Sequence, residues 1–152
     1  MMVPIQVIRW YRMQCYDGTD SCAIVVPIRR YCQKKYPYPT KRYVQRLDLK
    51  SDEEAIQLYR KLHSEECHWK EIRDGIREVG ILEMEIYISG NRLVMVVDAP
   101  EDFNWDASMD KLASLPRQVE WEHLVAKFQE CGENATSEDK WQMMERMFYL
   151  YK

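Results

Sequence analysis

The chain has 152 residues, with 46% apolar and 31% charged residues and a net charge of −3. That balance suits an ordinary globular protein with a single core. No apolar stretch approaches the roughly 18 residues that span a bilayer, and Ala23–Val26, cut off by Pro27, is too short for a secretory core. Five cysteines, odd in number and without the close pairing of a metal knuckle, read as free thiols in a reducing compartment. The expected location is cytoplasmic, with no membrane attachment.

Charge is unevenly spread. Residues 1–40 hold six Lys/Arg against two Asp/Glu, and the remainder holds 16 against 23. An acidic body without a basic stripe has nothing to grip a phosphate backbone, so no nucleic-acid partner is expected. Residues 1–40 also carry four of the six prolines and no lasting apolar period. Pro37-Tyr-Pro39 biases its neighbours toward extended chain. The segment reads as a poorly ordered extension, and residues 41–152 as the domain.

Within the domain, Arg42 to Leu49 reads as a strand. Ser51-Asp-Glu-Glu54 has the form of a capping box, with Ser51 as N-cap. Ile56, Tyr59 and His63 follow on one helical face. Trp69, Ile72, Ile76 and Val79 form a second apolar stripe that ends at Gly80, a natural C′ residue. Ile81 to Ser89 alternates, Gly90-Asn91 is a tight-turn pair, and Arg92 to Asp98 is the partner strand. Asn104 to Ser114 reads as helix. Leu115-Pro116 opens another helix, with Trp121, Leu124, Val125 and Phe128 on its apolar face, that stops near Gly132. Residues 133–140 form a polar loop, and Met144 to Tyr151 reads as the last strand.

The order is βαββαβ, the ferredoxin-like split motif of the α+β class. Its antiparallel sheet carries helices over one face only. Val94, Val96 and Phe148 place apolar groups on both sides of the strands, so the second face also needs cover. Two sheets paired in a homodimer, forming a dimeric α/β barrel with a lumen for a small ligand, meet that need.

Phosphate-binding glycine loops and G-x-S-x-G nucleophile elbows are missing from the sequence. His63 and His68 flank Cys67, but positions five apart on a helix face different ways and no fourth ligand stands at a known spacing, so no metal site is expected. An imidazole titrates near neutrality and can both give and take a proton, which makes His63 a candidate acid/base. A lone histidine at a helix end is more often structural, and Tyr59 and Trp121 alone read as core. The residues leave both readings open.

R-Y-V-Q-R-L-D-L (42–49), Y-x-x-x-H-x-x-x-x-x-W-x-E-I (59–72), G-I-L-E-M-E-I-Y-x-x-G-N-R-L (80–93), E-W-E around Trp121 and K-W-x-x-M-E-R-M-F-x-L (140–150) stand in one order and spacing. Together they resemble the rhamnose mutarotase family over residues 41–152. The resemblance implies a dimeric α/β barrel, a cofactor-free isomerase, His63 as the proton-transferring residue, and Tyr59 and Trp121 as sugar contacts. In the best-studied branch a tryptophan occupies the position of Glu120 and a sugar-contacting tyrosine that of Met84. Here Glu120 either accepts a sugar hydroxyl or is a solvated helix glutamate. His63 to Trp69 is two residues longer than in that branch.

The implied reaction opens a pyranose such as L-rhamnose or L-fucose by moving the anomeric proton, then recloses it on the other carbonyl face. Two rival readings use the same barrel: a non-catalytic protein that binds a small metabolite, and a cofactor-free oxygenase. The Tyr59–His63 pair favours the mutarotase.

Overall fold

A computed structural model of the chain describes residues 31–132, 135 and 137–151. Residues 1–30 of the expected extension therefore lie outside the described residues. The chain divides between Lys35 and Tyr36, and the elements below all belong to the second part. They are β1 (Thr40–Asp48), α1 (Glu53–Leu62), α2 (Lys70–Glu78), β2 (Glu83–Ser89), β3 (Arg92–Pro100), α3 (Trp105–Ala113), α4 (Gln118–Ala126), α5 (Ser137–Lys140) and β4 (Gln142–Met143).

The strands form one antiparallel sheet in the order β2-β3-β1-β4. With its helices this is the ferredoxin-like α+β fold that the element order predicts. Register decides which residues share a face, because side chains alternate along a strand. Tyr43, Gln45 and Leu47 stand opposite Val97, Met95 and Leu93 on β3, and these in turn oppose Met84, Ile86 and Ile88 on β2. This is the helix-covered face. Its buried residues form two clusters, one around Val97, Ala99, Ile81 and Phe103, the other around Leu47, Leu49, Leu93, Tyr59 and Val125. Each fully buried aliphatic side chain contributes about 1.5–3 kcal/mol.

The other face carries Arg42, Val44, Arg46 and Asp48 of β1 against Asp98, Val96, Val94 and Arg92 of β3. Arg42 donates twice to Asp98 and Arg92 twice to Asp48, at 2.7 and 2.9 Å in each pair. Val44, Val94 and Val96 are only half-buried.

Local chemistry sets the ends. Gly80 takes φ +97 behind the C-cap Val79, as the sequence predicts for the end of α2. Gly90 takes φ +60 in the two-residue hairpin turn, the sign that the first central position of a type II′ turn requires. Asn104 caps α3 by accepting from the Ala107 amide at 3.0 Å.

Four expectations differ from the structure. The cap of α1 is Asp52, whose carboxylate accepts from the amides of Glu54 (3.0 Å) and Ala55 (3.4 Å); the Ser51 hydroxyl faces Asn91 instead. Helix α4 ends at Ala126, well before Gly132, because Phe128 to Glu130 pairs along the edge of β1. There the Lys50 amide donates to the Phe128 carbonyl and the Glu130 amide to the Asp48 carbonyl. The expected polar loop contains the short α5. The last strand is only Gln142–Met143, with one further bond from the Met144 amide to the Val44 carbonyl; the apolar residues after it run on exposed.

Asp52→Ala is expected to lower stability by about 1 kcal/mol, the usual loss on removing an acidic N-cap. Ser51→Ala should stay within about 0.5 kcal/mol of the parent, as a surface change away from any cap does. Urea unfolding of both variants reads the difference; equal losses would return the cap to Ser51.

Candidate active site

The candidate residues gather where α1 ends above the sheet. Tyr59 sits in the last turn of α1 and is 4% exposed; His63 is the C-cap residue one turn later. Four residues of helix bring them onto one face, where the rings stack with centroids 4.3 Å apart. His63 Nδ1 lies 2.8 Å from the Tyr59 carbonyl oxygen. A carbonyl only accepts, so Nδ1 carries the proton and donates, which leaves the Nε2 lone pair free to take one.

Burial holds the His63 imidazole below its ordinary titration range. The bond to Tyr59 opposes that shift, and the positive charge of Arg73 reinforces it. His63 is therefore neutral at pH 7. Burial pushes the Tyr59 phenol up to about 12, opposed by a hydrogen bond from the Gln129 side chain and assisted by the nearby Glu122 charge. Tyr59 stays protonated and acts as a hydrogen-bond donor or acceptor, never as a resident phenolate.

Helix α4 supplies the wall. Trp121 meets His63 edge-on at 5.1 Å and Trp69 edge-on at 5.5 Å. Trp69 occupies the N-cap of α2, and the Arg117 guanidinium lies 3.8 Å above its ring. Arg117 reaches that place from a left-handed backbone, φ +64, an uncommon state for a residue with a Cβ. Strain of that kind, of order 1–3 kcal/mol, persists only where surroundings over-determine it. Here the Trp69 ring and ion pairs to Glu71 (3.6 Å) and Glu120 (3.5 Å) do so.

Three of the four sequence-predicted site residues thus meet: Tyr59, His63 and Trp121. Glu120 does not join them. Its side chain is 66% exposed and faces Arg117 on the outer side of α4. His68 donates from Nδ1 to backbone carbonyls of its own turn, and His123 is exposed. No group of three His, Cys, Asp or Glu side chains able to hold a metal ion occurs among the described residues. Nor is any described helix long and apolar enough to cross a membrane.

Sequence reasoning missed a polar set behind Tyr59. Gln129 is 2% exposed, and its Oε1 has no partner among the described residues, so its Nε2 is the group that faces the Tyr59 oxygen. Gln118 donates to Glu122 at 3.1 Å, and Lys140, its side chain 8% exposed, stands 3.7 Å from the same carboxylate. Amides and a buried lysine set among apolar residues leave no periodic trace. The only available signal was polar residues, Gln118 and Glu122, one turn apart on a helix otherwise read for its apolar face.

The family model described as L-rhamnose mutarotase matches residues 42–150. The chain is 35% identical over 104 residues to the L-fucose mutarotase of Xanthomonas campestris pv. campestris, which spans 68% of this chain and 83% of that protein. It is 37% identical over 91 residues to a UPF0734 protein of Dictyostelium discoideum, 59% of this chain and 71% of that one. The crystal structure of an L-rhamnose mutarotase from Formosa agariphila shares the fold, with a TM-score of 0.52 at 19% identity over 73% of this chain and 99% of that one. The chain belongs to the L-rhamnose mutarotase family and is an isomerase acting on sugars.

Proposed function

We propose that the protein interconverts the α and β anomers of a 6-deoxy hexose such as L-rhamnose or L-fucose, without a cofactor, and that His63 transfers the proton. The observation that carries this is the neutral His63 imidazole, its tautomer set by the Tyr59 carbonyl, between the Tyr59 ring and the edge-on Trp121. In the proposed step Nε2 takes the anomeric hydroxyl proton and the bond between the anomeric carbon and the ring oxygen breaks. The ring oxygen takes a proton from bound water or the Tyr59 hydroxyl. Rotation of the aldehyde and reclosure by the reverse transfers give the other anomer.

Trp121 offers a flat apolar wall to the C–H face and methyl group of such a sugar. Glu120 is kept as a hydroxyl acceptor at the rim, available when it leaves Arg117. The reading places the activity in residues 41–152 with residues 1–40 dispensable, the protein in the cytoplasm, and two copies paired through the open sheet face. Three free cysteines among the described residues and the half-buried valines of that face support it.

His63→Ala is expected to slow anomer exchange about 10²-fold or more, the usual scale for general acid–base catalysis. Far-UV circular dichroism should be unchanged, and His68→Ala and His123→Ala should keep most of the parental rate. Saturation-transfer NMR between the anomeric protons of L-rhamnose and L-fucose measures all three. Parental exchange in every variant would leave a barrel that only binds a metabolite.

The pH dependence of stability follows from the depressed titration of His63. Above about pH 6.5, the unfolded value, the imidazole is neutral in both states and burial carries no proton penalty. As pH falls below that, the unfolded chain takes up a proton that the folded one refuses, so stability drops until the folded group titrates in turn. Between pH 7 and 5 the parent should therefore lose more stability than His63→Gln does. Parallel urea midpoints for the two proteins would show that His63 is solvated.

A further inference from the structure

Helices α2 and α4 both begin without a capping side chain. Trp69 is the N-cap of α2 and Arg117 that of α4, and neither makes a side-chain cap bond. Such ends are usually fixed by a Ser, Thr, Asn or Asp oxygen that accepts from the first free amides. Here Arg117 spans both starts instead. Its guanidinium lies 3.8 Å above the Trp69 ring and pairs with Glu71 in the first turn of α2 (3.6 Å) and Glu120 in the first turn of α4 (3.5 Å). Glycines apart, Arg117 is the one described residue with a positive φ, +64. The turn that carries it is seated against α2, where a Cβ on Gly75 would stand 3.3 Å from Leu115 Cδ1.

From Arg117 the contacts run without a break to the candidate base. Trp69 meets Trp121 edge-on at 5.5 Å, Trp121 meets His63 edge-on at 5.1 Å, and His63 stacks on Tyr59 at 4.3 Å. The two ends of this row are held by different means. His63 is fixed from its own helix, by the bond between Nδ1 and the Tyr59 carbonyl. Trp121 stands between His63 and Trp69, and the guanidinium of Arg117 covers the Trp69 ring. A planar guanidinium suits that place, because it stacks flat on an indole face and a compact ammonium cannot.

We infer that Arg117 is a positioning residue for sugar binding: through its stack on Trp69 it fixes the place of Trp121, the apolar wall of the site. This rests on the sugar reaction proposed above and adds a residue that acts on it only through its neighbours. The tautomer of His63 is set within α1, so loss of Arg117 disturbs the wall and leaves the proton transfer in place. An interaction lost equally from bound sugar and transition state raises KM and spares kcat.

Arg117→Gly and Arg117→Lys test this on the full chain. Glycine takes φ +64 without strain, so the first variant removes the side chain and keeps the turn. Lysine keeps a charge for Glu71 and Glu120 but loses the planar stack. Anomer exchange is followed by saturation-transfer NMR against L-rhamnose and L-fucose concentration, and the indole N–H signals by two-dimensional NMR. Both variants should raise KM about 10-fold, the low end of what one apolar contact is worth in a pocket, with kcat within about twofold of the parent. The Trp69 and Trp121 indole signals should move while that of Trp105 stays in place. Parental KM in either variant overturns the inference, as does a fall in kcat with KM unchanged. Circular dichroism checks folding, and the lysine variant decides alone should the glycine variant not fold. A parent that exchanges neither sugar overturns this inference together with the reaction on which it rests.

Discussion

An antiparallel sheet of four strands has two faces, and the described residues supply helices for only one. That constraint divides the side chains of every strand. Leu47, Leu93, Met95 and Val97 are buried under α1 to α4, whereas Val44, Val94 and Val96 are left half-covered beside charged neighbours. The core, the candidate site and the uncovered surface are therefore parts of one arrangement. The candidate site lies within the helix layer, where partial burial holds an imidazole below its ordinary titration range. The other face carries guanidinium–carboxylate rungs, Arg42 with Asp98 and Arg92 with Asp48.

The end of α1 sets the state of the His63 ring. A helix leaves its last carbonyls without intrahelical donors, and His63, as C-cap, meets the Tyr59 carbonyl with its own ring N–H. One bond satisfies a helix terminus and fixes which nitrogen is basic. The dipole at a helix C-terminus favours a cation, but desolvation under Trp121 and the charge of Arg73 outweigh it here. The outcome is an imidazole held below its ordinary titration range rather than a structural imidazolium.

The sequence made some of this arrangement legible and hid the rest, for physical reasons. The hairpin is readable because Gly90-Asn91 separates two alternating runs, and alternation is what a half-buried strand requires. Tyr59 and His63 are readable as a pair because helical spacing places i and i+4 together. The cap of α1 is ambiguous because Ser51 and Asp52 both suit it; Asn91, distant in sequence, engages Ser51 and leaves the cap to Asp52. The early end of α4 is invisible locally, since Phe128 to Glu130 is drawn to the edge of β1 by backbone bonds that no periodicity encodes. The exposed state of Glu120 depends on Arg117 adopting a left-handed turn, which nothing in Leu115-Pro116-Arg117 announces.

The two positions where this chain departs from the best-studied branch sit differently in the fold, and that difference bears on what the site can select. Met84 is on the helix-covered face of β2, opposite Val97 and packed on the apolar cluster of Ile81 and Phe103. A thioether donates no hydrogen bond, so this position supplies no counterpart of the branch's tyrosine hydroxyl. Glu120 is on the outer side of α4, held by Arg117, so its carboxylate adds little charge inside. The polar groups that remain near Tyr59 are Gln129, Glu122 and, through Glu122, Lys140 and Gln118. In the proposed reaction, selection among sugars falls to the Tyr59 hydroxyl together with these amide and charged groups.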